Sequence, residues 1–462
     1  MTRRDFLWMP VAALALGDAR VEVPSRQLHL KIEDANGIPT NFNAMQFARS
    51  LEGAHVNLIT LTAKSQNGYA FHQTATFGAI VAACQDRGIA VNYAYSLTGE
   101  SHPNPEWLVP GTNQVCLNSP HLDRIVAENR EIVSKYRVHG AFFDDFKIPR
   151  CDCQWCKRLG PMDVIEHRRT VGRRVQQSLS GLVAGGTVFF NNPWLERGEL
   201  STHFELNADF PSRVRYLRTL GKECVGIANR PVEADCLNFV ANGAKVCIAD
   251  NLANVSYQRI KAVYTKLEAI EKWTQNCRAV ADIGVLAEQL TDSLIALHQQ
   301  FDLLDVESDL ALYKLLIVQD PPPQLTPRLE AYVKRGGPLI VIGKADSAKK
   351  LATVYSATTP VQVQLAEWIQ TLLVRPSVIA PNLPSTAQVT MLEQRTQGNL
   401  RRIVHVLCDG VLENIQLSVS LPQHPLGVVL IPSEKPLEFK HNEFYTTFVV
   451  PRIEGHQAIA FE

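Results

Sequence analysis

Eight apolar runs alternate with amphipathic runs between residues 25 and 275, and this alternation constrains the chain more than any other feature. The strand-like runs are Leu28–Ile32, Val56–Leu61, Ile89–Tyr93, His139–Asp144, Thr187–Asn191, His203–Asn207, Glu223–Ala228 and Lys245–Ala249. Helix-like stretches lie between them, among them Ala79–Arg87, His121–Tyr136, Val164–Ser180, Pro211–Leu220 and Tyr257–Trp273. The strand runs are apolar at both parities, as required of parallel strands covered on both faces. Eight such units over about 250 residues predict a (β/α)8 TIM barrel. A doubly wound open sheet is the rival, but no GxGxxG follows the first strand, as a dinucleotide-binding sheet would want.

The 462 residues leave room for more than the barrel. A small α/β unit with parallel strands is expected over residues 279–375, from strands Asp282–Leu286, Leu303–Asp305, Leu315–Gln319 and Leu339–Ile342 and helices Glu288–Gln300 and Thr326–Arg335. Residues 385–462 are rich in Val, Thr and Leu and read as a β-sandwich, with strands Val389–Leu392, Arg402–Leu407, Ile415–Leu421, Gly427–Leu430 and Phe444–Val450. Residues 1–24 open Thr2-Arg3-Arg4-Asp5-Phe6-Leu7 and continue apolar from Trp8 to Leu16, the pattern of a twin-arginine export signal. Export to the periplasm or the exterior is therefore expected. Lys+Arg and Asp+Glu both number 46, so no cationic surplus points to nucleic acid or an anionic membrane. No apolar run approaches the roughly 18 residues of a membrane span.

Chemistry in such a barrel gathers at the carboxyl ends of the strands. The fourth strand ends Phe142-Phe143-Asp144-Asp145, and two carboxylates closing an apolar run are costly unless used or paired. Their side chains point to opposite faces if the strand continues, so one of them is expected at the barrel mouth. The sixth strand carries Glu205 in Thr202-His203-Phe204-Glu205-Leu206-Asn207. Facing each other across the mouth, Asp144 and Glu205 would supply the nucleophile and the acid/base of retaining glycoside hydrolysis, with Asp145 tuning its neighbour. The bland alternatives are a turn-capping Asp and a salt-bridged Glu. Lys64, Tyr95, Asn191, Asn192 and Asp250 are further rim candidates for binding sugar hydroxyls.

After the fourth strand comes Cys151-Asp152-Cys153-Gln154-Trp155-Cys156. Three thiolates on so short a loop suit a tetrahedral structural zinc, with Cys116 as the fourth ligand; disulfides formed after export are the alternative. The remaining cysteines sit singly in apolar runs and are expected to pack as small hydrophobes.

Three stretches, Gln114–Pro120, Tyr136–Asp144 and the CxCxxC, together resemble the hypothetical glycosyl hydrolase 6 family, bacterial barrels related to α-L-fucosidases. Thr202–Leu206 and Asp305–Leu310 extend the likeness. In layout the chain is also similar to the trimeric β-galactosidases, which have a barrel, a glutaminase-like trimerisation domain and a carboxy-terminal β domain. That resemblance implies a carbohydrate substrate, a homotrimer, no catalytic cofactor, and zinc on Cys116, Cys151, Cys153 and Cys156. Fucosidase likeness makes Asp144 the nucleophile, whereas β-galactosidase likeness makes the carboxylate at that place the acid/base. Two departures stand out. Lys64-Ser65-Gln66-Asn67-Gly68 replaces the family's Lys-Cys-His-His-Gly, and Glu205-Leu206-Asn207 replaces Glu-x-Glu. They leave a second expectation, a silent barrel that binds carbohydrate or serves as a structural subunit.

Overall fold

The computed structural model describes residues 23–100, 103–192, 199–207, 211–343, 355–357, 362–396 and 399–462. The twin-arginine stretch falls almost entirely outside these residues. Among them no helix is long and apolar enough to cross a membrane.

All eight expected barrel strands are present: β1 (Arg26–Lys31), β2 (Leu58–Lys64), β3 (Ala90–Ser96), β4 (Gly140–Asp144), β5 (Thr187–Phe190), β6 (His203–Asn207), β7 (Glu223–Ala228) and β8 (Lys245–Asn251). They form one parallel sheet in the order β5-β4-β3-β2-β1-β8-β7-β6, a barrel in which, among the described residues, a strand ladder joins every neighbouring pair except β5 and β6. At that seam two hydroxyls and one backbone bond take the place of a ladder. The Val188 amide donates to Thr202 Oγ1 at 2.9 Å, the Phe190 amide to Ser201 Oγ at 3.2 Å, and the Thr202 amide to the Val188 carbonyl at 2.7 Å. The helices that cover the barrel include α1 (Ala44–Gly53), α2 (Ala75–Gln85), α3 (His121–Lys135), α4 (Gln154–Lys157), α5 (Val164–Ser180), α6 (Pro211–Leu217), α7 (Glu233–Ala241) and α8 (Tyr257–Thr274). Leu28, Leu30, Ile59, Leu61, Val91 and Phe143 point out into the layer between strands and helices, where most of the molecule's apolar burial lies. The opposite parity fills the barrel, with Ala94, Phe142 and Phe189 packed together inside it.

A second parallel sheet holds β10 (Ile283–Leu286), β11 (Phe301–Leu303), β12 (Leu315–Gln319), β13 (Leu339–Ile342) and β14 (Tyr355–Ala357), in the order β11-β10-β12-β13-β14. The helix expected over Glu288–Gln300 is shorter, a 3-10 turn at Glu288–Leu290 followed by Thr291–Ala296. The third unit is antiparallel and organised around fewer, longer strands than expected. Arg402–Leu407 and Ile415–Leu421 belong to one strand, Asn399–Ser420, and the last strand runs Tyr445–Phe461. A register shift between Leu407 and Val411, with Gly410 at φ +93°, makes a bulge inside this long strand rather than a turn. The edge of this sheet is β9 (Cys277–Ala279), the chain leaving α8, paired with Gln388–Thr396.

Candidate active site and thiolate cluster

The strand register places the acids. Phe142 lies beside Phe189 across β4 and β5, and the Phe189 ring stacks on His203 of β6 with centroids 5.2 Å apart. His29 of β1 meets Phe142 edge-on at 4.8 Å. These four rings form one layer inside the barrel. Two residues further along β4 and β6, on the same faces, stand Asp144 and Glu205, with Asn191 just past the end of β5. The acids therefore occupy the next layer, at the carboxyl ends of the strands. His29 lies close enough to feel both. Burial holds its imidazole below the usual range, while the charges of Glu205 and Asp144 pull it back up.

The two carboxylates differ in their surroundings. Asp144 Oδ1 accepts from Asn191 Nδ2 at 2.7 Å and from the Asp145 amide at 2.8 Å, and Oδ2 accepts from Gln66 Nε2 at 3.2 Å. Glu205 is more enclosed, its side chain 6% exposed; Oε1 lies 3.3 Å from His203 Nε2, and buried Oε2 has no hydrogen-bond partner among the described residues. Asp144 is thus a fixed acceptor ringed by donors, and Glu205 an enclosed carboxyl with one oxygen uncommitted.

Asp145 departs from simple strand alternation. The strand stops at Asp144, and Asp145 takes the left-handed conformation, φ +55°, which turns its carboxylate back beside its neighbour's. Its Oδ2 accepts from Ser96 Oγ at 2.7 Å and its Oδ1 from Gln66 Nε2 at 3.1 Å. Burial pushes its carboxyl above the usual range, the Asp144 charge adds to this, and Ser96 and Lys147 oppose it. Both aspartates therefore belong to one constellation, and Gln66, a residue the sequence marked only as a missing histidine, touches both.

Of the five rim candidates, only Asn191 joins the acids. Lys64 and Tyr95 face outward beneath α3. Lys64 Nζ donates to Glu100 Oε1 at 2.6 Å, to Glu128 Oε2 at 3.1 Å and to Tyr95 Oη at 3.2 Å, and Tyr95 Oη donates to Glu128. The cause is a bulge in β2. Thr62 pairs with Ala94 but Lys64 with Tyr95, a one-residue slip that sends Lys64 to the outer face. Asn192 binds Glu199. Asp250 accepts the backbone amides of Asn251 at 2.8 Å and Ser256 at 3.0 Å, pinning the turn into α8.

The four expected zinc ligands converge. The sulfurs of Cys116, Cys151, Cys153 and Cys156 all lie within 4.8 Å of one another and all four residues are buried. Cys116 Sγ stands 3.5 Å from Cys156 Sγ and 3.7 Å from Cys153 Sγ. A disulfide needs about 2.05 Å. A tetrahedral zinc with bonds of about 2.3 Å sets sulfurs about 3.8 Å apart, which these separations match. Burial pushes the Cys153 thiol up, but hydrogen bonds from the Cys156 amide, the Cys151 and Cys116 thiols and the Trp155 amide together hold it below its usual range. Asn118 Nδ2 reaches Cys156 Sγ at 3.8 Å and the Trp155 carbonyl at 3.1 Å, while its Oδ1 accepts from Arg174 at 2.6 Å. The other cysteines are buried singly, except that Cys277 and Cys408 are partly exposed.

The architecture is that of known glycoside hydrolases. The chain is similar to the α-L-fucosidase isoenzyme 2 from Paenibacillus thiaminolyticus, with a TM-score of 0.84 and 20% identity over 95% of this chain and 100% of that one. It is similar also to the β-galactosidase from Bacillus circulans sp. alkalophilus, with a TM-score of 0.70 and 11% identity over 95% and 99%. An α-L-fucosidase from Bacteroides thetaiotaomicron superposes more loosely, with a TM-score of 0.50 and 12% identity over 92% and 82%. No protein-family model and no curated protein matches the sequence. At these identities the likeness fixes the architecture, and the chemistry rests on the side chains.

Proposed function

We propose that this barrel is a retaining glycoside hydrolase acting on a terminal sugar such as an α-L-fucoside or a β-galactoside. The observation that carries the reading is the asymmetry between two acids in one layer of the barrel. Asp144 accepts three hydrogen bonds from Asn191, Gln66 and its own chain. Such a carboxylate is held in one orientation, as an attacking nucleophile must be. Glu205 keeps an uncommitted buried oxygen beside His203. An enclosed carboxyl of this kind suits proton delivery to the leaving oxygen, then removal of a proton from water.

In the first step Asp144 attacks the anomeric carbon, the glycosidic bond breaks, and the proton of Glu205 passes to the departing oxygen. In the second, Glu205 takes a proton from water, whose oxygen displaces Asp144. Two inversions return the starting anomer. Asp144→Asn, assayed on aryl α-L-fucosides and β-galactosides, is expected to lose at least about a thousandfold in kcat. Turnover equal to wild type removes Asp144 from the mechanism.

The four thiolates support a structural zinc. It would supply no chemistry to the sugar; Cys116 from the segment after β3 and Cys151, Cys153 and Cys156 from the segment after β4 would fasten together the two segments that leave Ser96 and Asp144. We propose further that the middle α/β unit serves a homotrimer and that the amino-terminal twin arginines direct export. Light scattering after size exclusion and fractionation of the producing cells test these two points.

A further inference from the structure

We propose that Gln66 is the positioning residue of this site: one neutral amide nitrogen that bridges the two adjacent aspartates and so fixes the direction in which Asp144 presents its free lone pairs. The inference rests on Asp144 being the nucleophile.

Asp145 makes the bridge necessary. In a continuing strand its carboxylate would point away from Asp144. The left-handed turn at Asp145 instead brings the second anion beside the first, at a backbone cost of about 1 kcal/mol or more. Two carboxylates so placed repel each other. What separates them has to donate in both directions. The primary amide of Gln66 does this, with Nε2 at 3.2 Å from Asp144 Oδ2 and 3.1 Å from Asp145 Oδ1. Its two N–H groups serve one carboxylate each.

The supports on either side are built to hold this arrangement. The turn that carries Gln66 is closed by the Ser65 amide on the Tyr69 carbonyl and the Gly68 amide on the Ser65 carbonyl, both at 3.0 Å. It is tied to the segment leaving β1 by Ser65 Oγ, which donates to the Glu33 carbonyl at 2.9 Å. On the far side Asp145 is anchored by Ser96 Oγ, which in turn accepts the Gly99 amide at 3.0 Å. Gly99 has no room for a side chain, since a Cβ there would lie 2.3 Å from the Ser65 carbonyl. The chain Gly99–Ser96–Asp145–Gln66–Asp144–Asn191 thus passes from the β3 segment through the β2 turn to the end of β5. Asn191 and the Asp145 amide hold Oδ1 of the nucleophile; Gln66 is the side chain on Oδ2.

A residue that positions the nucleophile, rather than gripping sugar, changes kcat and leaves KM alone. The test compares Gln66→Met, similar in length and without donors, with Gln66→Lys, which keeps donors on one nitrogen. With an aryl glycoside that the wild type hydrolyses, Gln66→Met is expected to lower kcat about a hundredfold at near-constant KM. Gln66→Lys is expected to recover most of that loss. A Met variant with wild-type kcat, or one whose defect lies wholly in KM, overturns the bridge while leaving the hydrolase reading intact. If the wild type hydrolyses no aryl glycoside, the functional reading fails on its own. Crystal structures of both variants then decide the bridge. The Asp144 carboxylate is expected to leave its position in Gln66→Met and to keep it in Gln66→Lys; an unmoved Asp144 in the Met variant overturns the proposal.

Discussion

At the residue scale, the division of labour proposed for the two acids rests on what each touches. Glu205→Gln keeps shape and removes the transferable proton, so its rate loss is expected to be about 10²–10⁴-fold on substrates with poor leaving groups. It should be far smaller on activated aryl glycosides, whose leaving groups need no proton. Equal loss on both classes would take the acid role from Glu205. Asp145 yields a stability prediction. Its folded-state carboxyl titrates above the ordinary range, so the folded protein holds this proton more tightly than the unfolded chain does. Its effect on stability is therefore most favourable in acid, below the unfolded value, and worsens as pH rises through the folded one. Asp145→Asn is expected to raise the denaturation midpoint at pH 7 relative to wild type, with the gain shrinking toward pH 3. A gain that grows in acid would contradict the assignment. The sequence singled out Asp144 and Glu205 as candidates because acids closing apolar runs are rare, and the strand register sets both on inward faces in one layer of the barrel. The sequence could not identify Asp145's orientation, which depends on a single backbone dihedral, or Gln66, an ordinary polar residue whose importance lies only in its neighbours.

At the scale of elements, strand alternation located the eight barrel strands within a few residues but failed where register slips. The bulge between Thr62 and Lys64 carries Lys64 from the mouth to the buried face beneath α3, where its side chain is 4% exposed and that of Glu100 is 6% exposed. No local pattern announces such a bulge. Removing one member of a buried ion pair strands the other, which costs about 3–5 kcal/mol. Lys64→Met should therefore be strongly destabilising, measured by chemical denaturation, whereas a surface lysine such as Lys266, paired at 58% exposure, should be nearly silent when replaced. The thiolate cluster is the opposite case. The CxCxxC was legible as a short motif, and the contribution of Cys116, 35 residues upstream of the first of the three, depends on the β3 and β4 segments lying side by side. Protein purified without chelator is expected to contain about one zinc per chain, and Cys153→Ser to lose it. Metal analysis that finds none in the wild type would contradict the site.

At the scale of the whole molecule, the carboxy-terminal sheet closes against the barrel. Leu392, Ile403, Ala458 and Ala460 join the barrel's own hydrophobic cluster, and Thr390 Oγ1 donates to the Ala241 carbonyl at the end of α7 at 2.5 Å. His405, in register with Thr390 and Ala458, is wholly buried there, with Nδ1 3.0 Å from His456 Nε2. Burial holds His405 well below the ordinary imidazole range and lowers His456 to about 4. Both imidazoles are thus neutral in the folded protein where the unfolded chain would protonate them. The stability they support is complete above about pH 6.5 and declines as pH falls from there toward 4. The double variant His405→Leu with His456→Leu is expected to lose less stability between pH 7 and pH 5 than wild type, read by denaturant midpoints. Identical losses would place the acid sensitivity elsewhere. The three-part layout was legible from composition shifts along the chain. The long strands Asn399–Ser420 and Tyr445–Phe461 were not, since the Asp409-Gly410 bulge imitates a turn in sequence.

Retaining hydrolysis at this site requires Asp144 to form a bond to the sugar. Incubation with activated 2-deoxy-2-fluoro glycosides of the fucosyl and galactosyl series, followed by peptide mapping by mass spectrometry, reads this directly. One sugar mass per chain on the peptide containing Asp144, absent in Asp144→Asn, is the expected result. A label carried by another residue, or hydrolysis that releases the opposite anomer with no label at all, would contradict it.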